Sequence, residues 1–434
     1  MIRIKRGLDL PIAGAPHQEI EDAPAVTSVA LLGADYVGMK PTMAVQVGDR
    51  VKIGQLLFSD KKTPGVHFTA PAAGIVQAIN RGQQRVLQSV VIDVDGDEAI
   101  QFDSYQADRI ADLSRDQVAE NLQQSGLWTA FRTRPFSKVP RLDSQPISIF
   151  VTTIDTHPLA ADPSIVLESQ ADMFGQGLTL LTKLTSGTVY VCTAPDTQVS
   201  AVPGVEVHAF AGVHPAGLPS THIHFLDPVS TTKTVWTINY QDVIAVGHLF
   251  KSGRLNVERT VSLAGPMVVR PRLIRTRLGA STDELVDGQT RVGEYENRVI
   301  SGSVLGGCVA SGPYAYLGRY HSQISVLEEG HKREFMGWLA PGKNKHSVLT
   351  MFTSVLKSTQ RFNFTTTTNG SERTMVPVGA FESLMPLDIL PTQLLRSLVV
   401  GDIATAQELG CLELEEADLA LCSYACAGKY AYDP

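Results

Sequence analysis

The spacing of apolar positions changes in character along the chain and divides it into regions. Between residues 26 and 92, short β-rich runs are separated by glycine, aspartate and proline, and this pattern predicts a small all-β sandwich of hairpins. From Ile110 the period becomes helical, with a capping-box pattern at 114–117 and a stop at Gly126. The first region is therefore expected to be β, and the next to begin with a helix.

Buried strands are predicted to alternate with helices over the following region. Apolar runs at 147–152, 189–193, 205–210 and 243–246 are each short enough to be a strand of a sheet interior. A series of this kind is typical of parallel sheets whose strands are joined by helical crossovers. We therefore expect a Rossmann-like parallel sheet between about 105 and 255.

A third region changes pattern again. Strands are predicted at 261–265 and 267–278, a short helix is capped at 281–284, and the stretch 299–307 is glycine-rich. This β-β-α-β order predicts a small ubiquitin-like (β-grasp) module.

Beyond about residue 330, runs bounded by proline predict helices. One helix is expected at 392–400, and Asp402 is placed to cap the next helix, which Gly410 ends. The predicted apolar face of the first helix consists of Leu394, Leu395, Leu398 and Val399.

The β-rich region also carries a recognisable motif. Residues 47–56, VGDRVKIGQL, followed by APAAGIV at 70–76, resemble the biotinyl/lipoyl-type barrel-sandwich hybrid domain. Lys61 falls where lipoyl domains carry their modified lysine, which a carrier presents on a short, rigid turn. Here residues 62–65 lengthen the tip, and the proline among them reshapes it. A fold reused as a docking module is therefore favoured over a lipoyl carrier.

The patterns together predict a multidomain α/β and α+β protein. A chain of 434 residues accommodates several domains of about 100–200 residues each. The predicted domains are a barrel-sandwich hybrid at 1–104, a Rossmann-like domain at 105–255, a ubiquitin-like β-grasp domain at 256–335 and a helical domain at 336–434.

Composition and charge narrow the class of protein. Apolar residues make up 43% and charged residues 19% of the chain, which suits packed cores and argues against disorder. The net charge of −7 gives no overall attraction to phosphate backbones, so no nucleic-acid partner is expected. No apolar stretch approaches the roughly 18–20 residues of a membrane span, and the start of the chain lacks a signal-peptide core. With five cysteines, we expect a soluble intracellular protein with reduced thiols.

Four histidines invite a metal interpretation, namely His208, His214, His222 and His224. On a strand, His222 and His224 would present both imidazoles on one face. Because no cysteine, aspartate or glutamate is placed to complete a tight site, no metal site is predicted. Polar side chains lining a loop end of the sheet are favoured.

Three cysteines near the carboxyl terminus could supply thiolates to an iron–sulfur cluster, namely Cys411, Cys422 and Cys426. A cubane cluster normally needs four thiolates with at least one C-x-x-C, and neither condition is met. Helical cysteines packed as small hydrophobic groups are therefore favoured.

Several long motifs are spread in unbroken order along the whole chain. They are GLDLPI at 7–12, GLWTAFRTRPFSKVP at 126–140, HPAGLPSTHIHFLDP at 214–228, MPLD at 385–388, GCLELE at 410–415 and CAGKY at 426–430. Together they resemble one family, the NqrA subunits of the bacterial Na⁺-translocating NADH:quinone oxidoreductase. In architecture the chain is also similar to the Rnf complex C subunit and to the flavin subunit of respiratory complex I.

The resemblance to those flavin-binding relatives also shows where this chain departs from them. In place of their glycine-rich, flavin-phosphate-binding loop it has 127–134, whose bulky side chains would block close backbone approach. In place of their glutamate-rich nicotinamide segment it has 154–158, and their four-cysteine cluster motif is missing. The resemblance therefore implies an NADH–flavin scaffold that has no flavin, NADH or Fe–S site and no catalytic residues of its own.

The same resemblance implies a place in a larger assembly. The chain is expected to be a peripheral subunit on the cytoplasmic face of the bacterial inner membrane, in a complex that couples ubiquinone reduction to Na⁺ export. NADH, FAD, FMN and iron centres would belong to partner subunits, and the membrane-embedded NqrB subunit is the expected neighbour. The isolated chain is not expected to be catalytic. The alternative is an autonomous NADH:acceptor flavoprotein on the same scaffold.

A quinone slot is predicted in the vacated flavin loop, because a quinone head needs an aromatic or apolar slot with donors for its carbonyls. The candidate residues are Phe131, Arg132, Arg134, Phe136 and Lys138, together with Tyr36 and Met39 from the β-sandwich side. A plain contact with a neighbouring subunit is the alternative for this loop.

Overall fold

The computed structural model describes residues 1–332, 339, 341–348, 351–357 and 359–433. The predicted boundary between the third and fourth domains, at 335 and 336, lies outside the described residues. Within them, the elements form two small sheets, two six-stranded sheets and a carboxyl-terminal group of helices. The chain begins with β1 (Ile2–Ile4) and β2 (His17–Asp22), each of which joins one of the six-stranded sheets.

Two small antiparallel sheets share one core near the amino terminus. Their strands are β3 (Ser28–Leu32), β4 (Pro41–Met43), β5 (Arg50–Val51), β6 (Leu56–Asp60), β7 (His67–Thr69), β8 (Gly74–Arg81) and β9 (Leu87–Val94). The strand orders are β3-β9-β8-β5 and β4-β6-β7. Gly74 has a φ of 153°, and a Cβ there would lie 1.8 Å from the carbonyl oxygen of Asp93, so the close β8–β9 pairing requires glycine. The predicted sandwich of hairpins is confirmed.

A six-stranded sheet with helical connections follows. Its elements are α1 (Arg115–Ser125), β10 (Arg132–Arg134), β11 (Ile149–Thr153), α2 (Pro163–Ser169), α3 (Ala171–Leu181), β12 (Val189–Thr193), β13 (Val205–Gly212), α4 (Pro219–Leu226), β14 (Val235–Asn239) and α5 (Tyr240–Ser252). The strand order is β1-β13-β12-β11-β14-β10. All neighbours are parallel except β10, which runs antiparallel to β14 at one edge. The order reverses between β11 and β14.

Two predictions for this region are wrong. Residues 243–246 lie in α5 rather than in a strand, and His222 and His224 lie in α4. Helix α5 is buried almost all round, so its apolar run has no helical period that would separate it from a buried strand. Pro219 occupies the first turn of α4, where proline favours a helix start.

The second six-stranded sheet contains β15 (Glu258–Ala264), β16 (Arg272–Arg277), β17 (Asn297–Ser301), β18 (Cys308–Val309) and β19 (Gln323–Glu328), with α6 (Thr282–Val286) after β16. Its order is β18-β17-β19-β15-β16-β2. The predicted strand at 267–278 is confirmed over its second half only. Arg272 and Arg275 of β16 form ion pairs with Glu21 and Asp22 of β2, at 3.0 and 2.9 Å, which fixes the amino-terminal strand at this edge.

The carboxyl-terminal helices are α7 (Ala380–Leu384), α8 (Pro391–Val400), α9 (Ile403–Glu408) and α10 (Glu416–Ala425). Asp402 caps α9, as predicted, by accepting a hydrogen bond from its first turn. Leu394 and Leu395 of α8 are fully buried, whereas Leu398 and Val399 are 39% and 43% exposed, so the predicted apolar face is only half covered. No helix within the described ranges is long and apolar enough to cross a membrane.

A buried ionic junction joins the small sandwich to both large sheets. Asp242 of α5 pairs with Arg259 of β15 at 2.5 Å and with Arg319 at 3.0 Å. The backbone N–H of Arg319 donates a hydrogen bond to Asp35 at 2.7 Å, and burial raises the pKa of Asp35 to about 6. Because unpaired buried charges are costly, these contacts fix how the three parts sit against one another.

Candidate functional site

The turn that follows α1 fills the core with aromatic rings. Gly126 ends the helix in a left-handed conformation, and the next four residues form a fully buried single turn. The ring of Phe131 lies 5.8 Å from Trp128 and 5.4 Å from Trp236, and the two indoles are 5.4 Å apart. Phe131 has no exposed surface. Among the predicted quinone-site residues it is therefore a core residue, and a ligand could reach it only by displacing the core.

The strand after this turn presents two arginines to one carboxylate. Arg132 and Arg134 flank one residue of the edge strand β10 and therefore point to the same face. Arg132 donates to Glu415 at 2.5 Å, and Arg134, only 2% exposed, donates to the other oxygen of Glu415. The hydroxyl of Ser137 donates to Glu415 at 3.1 Å, and Arg134 also donates to Ser220 at 2.8 Å. The predicted hydrogen-bond donors of the loop are thus largely engaged.

Glu415 is the centre of this cluster. It is the N-cap residue of α10, and only 11% of its side chain is exposed. Burial by itself would raise the pKa of Glu415, but the attraction of Arg132 and Arg134 outweighs burial and lowers the pKa to about 2. Glu415 is therefore ionised at neutral pH. Two further carboxylates act on the same guanidinium groups, Glu416 on Arg132 and the buried Asp418 on Arg134.

Tyr36 lies on the far side of Arg132. The Arg132 guanidinium stacks 4.6 Å above the ring of Tyr320, which in turn contacts Tyr36 at 6.3 Å. Tyr36 is buried against Phe68 and lines a mostly apolar cavity of about 40 Å³ at the junction of the sandwich and the sheets. A volume of that size holds only a few water molecules, which is less than an aromatic head group needs.

The remaining predicted residues lie toward the surface. Met39 is half-buried, whereas Lys138 is exposed and stands beside Gly38 of the sandwich. Phe136 is 64% exposed, and the Lys138 ammonium lies 5.7 Å from its ring. The seven predicted residues therefore form a band that runs from a buried tyrosine to an exposed phenylalanine, and they do not line one pocket.

A cleft of about 410 Å³ opens at the Phe136 end of that band, between the loop after β10 and the carboxyl-terminal helices. Its walls are mostly apolar or aromatic, and three carboxylates also line it, Glu415, Glu416 and Asp433. The residues that line it are Phe136, Ser137, Leu398, Val399, Cys411, Leu414, Glu415, Glu416, Leu419, Tyr430, Ala431, Tyr432 and Asp433. The Tyr430 and Tyr432 rings are 5.1 Å apart. The volume lies within the range of roughly 300–1,000 Å³ that is usual for small-molecule sites.

Sequence reasoning identifies one wall of this cleft and misses the other. Phe136 is among the predicted residues, whereas the residues of α8, α10 and the carboxyl-terminal segment are not. The wide apolar face of α8 is a usable sequence signal for the missed wall. Leu394 and Leu395 pack the helix against the core, and Leu398 and Val399 extend that face beyond them.

The four histidines do not form one cluster in the structure. His224 lies between Glu413, at 2.6 Å from Nδ1, and the backbone N–H of Asp388, at 3.1 Å from Nε2, so it ties α4 to the carboxyl-terminal helices. Burial lowers the pKa of His214 to about 3 and that of His222 to about 4. In the part of the chain that is described, no three histidine, cysteine, aspartate or glutamate side chains are placed to hold a metal ion.

The carboxyl-terminal cysteines pack as predicted. Cys422 and Cys426 are buried in a small apolar cluster with Phe381 and Tyr432, and Cys411 is partly exposed at the cleft. Burial raises the pKa of Cys422 to about 12, so its thiol stays protonated. These two cysteines act as small hydrophobic groups.

Comparison with known proteins gives the class of protein. Three family models match successive parts of the chain. They are the NqrA N-terminal barrel-sandwich hybrid domain at 2–95, the NqrA second alpha/beta domain at 113–255 and the NQRA C-terminal domain at 260–312. The predicted barrel-sandwich hybrid is thereby confirmed, in a chain of the class that forms subunits of NADH-quinone reductases.

Full-length relatives support the same family assignment. The NqrA subunit of the Na(+)-translocating NADH-quinone reductase of Pseudomonas aeruginosa (strain UCBPP-PA14) is 64% identical over 436 residues, covering 100% of this chain and 97% of the relative. The corresponding subunit of Cellvibrio japonicus (strain Ueda107) is 62% identical with the same coverage. The chain belongs to the NqrA family of Na⁺-translocating NADH-quinone reductase subunits, which confirms the resemblance found in its motifs.

Solved structures align with this chain only at low similarity. The NAD⁺-reducing NiFe-hydrogenase in the H2-reduced state aligns with 52% of this chain and 49% of its own, at 14% identity and a TM-score of 0.36. Its air-oxidized state gives 12% identity and a TM-score of 0.34. A similarity of this strength assigns neither fold nor function.

Proposed function

We propose that this chain is a peripheral subunit of a Na⁺-translocating NADH:quinone reductase and that it binds the quinone ring in the cleft beside Phe136. The observation that carries the proposal is the cleft itself, which is about 410 Å³ and is walled mostly by apolar and aromatic side chains beside three carboxylates. Family membership supports it, because the relatives are named as subunits of a quinone reductase. Phe136 is the predicted residue that lines the cleft, and it is 64% exposed without a ligand.

The cleft combines apolar and aromatic walls with acidic side chains. Glu415, Glu416 and Asp433 line it, whereas Arg132 and Arg134 pair with Glu415 and do not line it. The aromatic faces of Phe136 and Tyr430 suit a flat ring.

The larger assembly supplies the electron carriers in this proposal. The first six-stranded sheet is assigned as Rossmann-like, since its order reverses between β11 and β14, and the second is assigned as a β-grasp-type module. The NADH site, the flavins and the iron centres are assigned to partner subunits, with NqrB as the membrane neighbour and the cytoplasmic face as the location. Leu127 and Trp128, which replace a glycine-rich loop, are buried, and this supports the assignment of flavin elsewhere.

Quinone titration of the purified full-length chain tests the proposal. Replacing Phe136 by Ala should raise the quinone Kd about tenfold, because a stacked aromatic contact is worth roughly 1–1.5 kcal/mol. Phe225→Ala is the matched control, since Phe225 is also exposed, at 43%, and does not line the cleft. An equal effect of both substitutions, or of neither, refutes the site.

A contact with a partner subunit is the second candidate for the same loop, because Phe136 and Lys138 are both exposed. In that case Phe136→Ala would leave quinone affinity unchanged and reduce the amount of partner subunits that co-purify with the chain. The autonomous flavoprotein makes a different prediction: visible flavin absorbance and NADH oxidation by the isolated chain. The lipoyl carrier predicts an added mass on Lys61, which intact-mass spectrometry detects.

A further inference from the structure

We infer that a lysine-rich surface, shared by the small sandwich and the loop after β10, binds the anionic phosphate headgroups of a lipid membrane. We call it the lysine face, and it consists of four exposed residues, Lys40, Lys61, Lys62 and Lys138. The inference rests on the part of the proposed function that makes the chain a peripheral subunit, and it does not involve the quinone cleft.

Three of these lysines are held together by one buried carboxylate. Asp60 is 8% exposed, and its Oδ1 accepts hydrogen bonds from the backbone N–H groups of Lys40 and Lys62, both at 2.9 Å. The backbone N–H of Lys61 donates to the carbonyl of Lys40 at 2.9 Å. The loop before β4 and the turn after β6 are therefore fixed side by side, and the three exposed side chains start from neighbouring backbone positions.

Lys138 joins them from the loop after β10. A Cβ at Gly38 would lie 3.9 Å from Cε of Lys138, so the lysine stem lies against the same sandwich loop that carries Lys40. The Lys138 ammonium lies 5.7 Å from the ring of Phe136. Because Phe136 lines the cleft together with three carboxylates, the positive surface ends at this ring.

The lysine face is not neutralised by ion pairs. Among the residues that the structure describes, the lysines that pair with a carboxylate are Lys233 and Lys332, which lie elsewhere. Asp35, in the loop that carries Lys40, accepts a hydrogen bond from the backbone N–H of Arg319 at the domain junction instead. The chain as a whole has a net charge of −7, so a negative surface repels it except where a local positive surface faces that surface. The lysine face therefore determines which side of the chain can approach an anionic membrane.

The choice of lysine favours lipid headgroups over an acidic protein segment. At its buried junction the chain pairs one particular carboxylate, that of Asp242, with Arg259 and Arg319. The fixed fork of a guanidinium group matches a single carboxylate, whereas lysine is a point charge on a flexible stem and is depleted at protein interfaces. Flexible point charges suit headgroups that move laterally, and lysine clusters are the usual device for binding anionic lipids. The relatives are named as subunits of a Na(+)-translocating reductase, and translocation of an ion requires a membrane.

Co-sedimentation of the full-length chain with lipid vesicles tests the inference. The vesicles contain either phosphatidylcholine alone or equal amounts of phosphatidylcholine and phosphatidylglycerol, which is anionic. The native chain should bind the anionic vesicles, bind them less as salt is raised, and leave the neutral vesicles unbound. The double variant Lys61→Gln, Lys62→Gln should weaken binding to the anionic vesicles about thirtyfold, equivalent to about 2 kcal/mol at about 1 kcal/mol per lysine.

Two control variants separate position from charge. Lys251→Gln, Lys357→Gln removes two charges from exposed lysines outside the lysine face and should bind nearly as tightly as the native chain. Lys61→Arg, Lys62→Arg keeps both charges and should also retain binding, because headgroup attraction depends on charge and not on the shape of the cation. Urea unfolding of all three variants verifies that each one is folded.

Two vesicle results would overturn the inference: absence of binding by the native chain, and equal losses in the two glutamine variants. Unchanged vesicle binding by Lys61→Gln, Lys62→Gln, with fewer partner subunits co-purifying, would also overturn it and would make the lysine face a contact with an acidic subunit. These measurements are separate from quinone titration of the cleft. Failure of vesicle binding leaves the quinone site standing, and failure of quinone binding leaves the lysine face standing.

Discussion

Replacing Glu415 by Gln should destabilise the chain strongly at neutral pH and much less in acid. Glu415 is the sole carboxylate that meets both Arg132 and Arg134 in the described structure, and Arg134 is 2% exposed. The amide of glutamine cannot neutralise two guanidinium groups. Removing one partner of a buried ion pair typically costs about 3–5 kcal/mol, because the other charge stays buried and unpaired.

The pKa of Glu415 gives an independent magnitude. The two arginines, working against burial, lower that pKa from 4.5 to about 2. At about 1.36 kcal/mol per pH unit, the depressed pKa corresponds to about 3 kcal/mol of stability at neutral pH. Because the folded-state pKa is the lower one, this stabilisation is fully present above pH 4.5 and is lost as pH falls toward about 2. The difference in the free energy of unfolding between the native chain and the variant should therefore narrow by about 1.4 kcal/mol per pH unit below pH 4.5.

Urea unfolding followed by tryptophan fluorescence measures this difference in the free energy of unfolding, because Trp236 lies in the sheet that carries both arginines and Trp128 packs against it. Glu416→Gln is the matched control: Glu416 is the next residue, is exposed, and should change the free energy of unfolding by less than about 0.5 kcal/mol. If Glu415→Gln lowered the free energy of unfolding by less than about 1 kcal/mol at pH 7, the role of Glu415 as a buried counter-charge would be contradicted. A gap that stays constant between pH 7 and pH 3.5 would contradict the assigned pKa.

Two further substitutions test the local structure around the cleft. Phe131→Ala should lower the free energy of unfolding by about 3–5 kcal/mol, because it leaves a cavity beside the two indoles. A small effect in urea unfolding would mean that the ring does not lie in the core. Asp402→Ala should lower the free energy of unfolding by about 1 kcal/mol, because it removes the cap of α9. Asp402→Asn keeps a hydrogen-bond acceptor and should lower it less. Equal losses of stability in thermal unfolding would show that capping is not the cause.

Local signals in the sequence predict the local features of the fold. The capping box at Ser114 and Gln117 and the cap at Asp402 depend on hydrogen bonds that span three residues, so neighbouring residues suffice to specify them. The hairpins of the sandwich follow in the same way from alternating apolar positions and turn glycines. The order of motifs along the chain is enough to recognise the family.

Where burial is complete, the sequence signal fails. In α5 nearly every residue is buried, so residues 243–246 show no polar face that would mark them as helical. His222 and His224, considered as part of a strand, lie in α4, and Pro219 at its start is a usable helix signal. Periodicity identifies an element by its contrast between buried and exposed faces, and α5 offers little contrast.

Contacts between distant residues were decided by the tertiary structure alone. The sequence determined which segments become helices and strands where a face remains exposed, and it determined the family. It did not determine that Glu415 meets Arg132, 283 residues away, or that β2 completes the second large sheet. Nor did it place α8 and the carboxyl-terminal tyrosines around the cleft. Local rules fix only neighbours within a turn or a hairpin, whereas these partners are selected by the cost of leaving a buried charge or an apolar face unpaired, which exists only once the chain has folded.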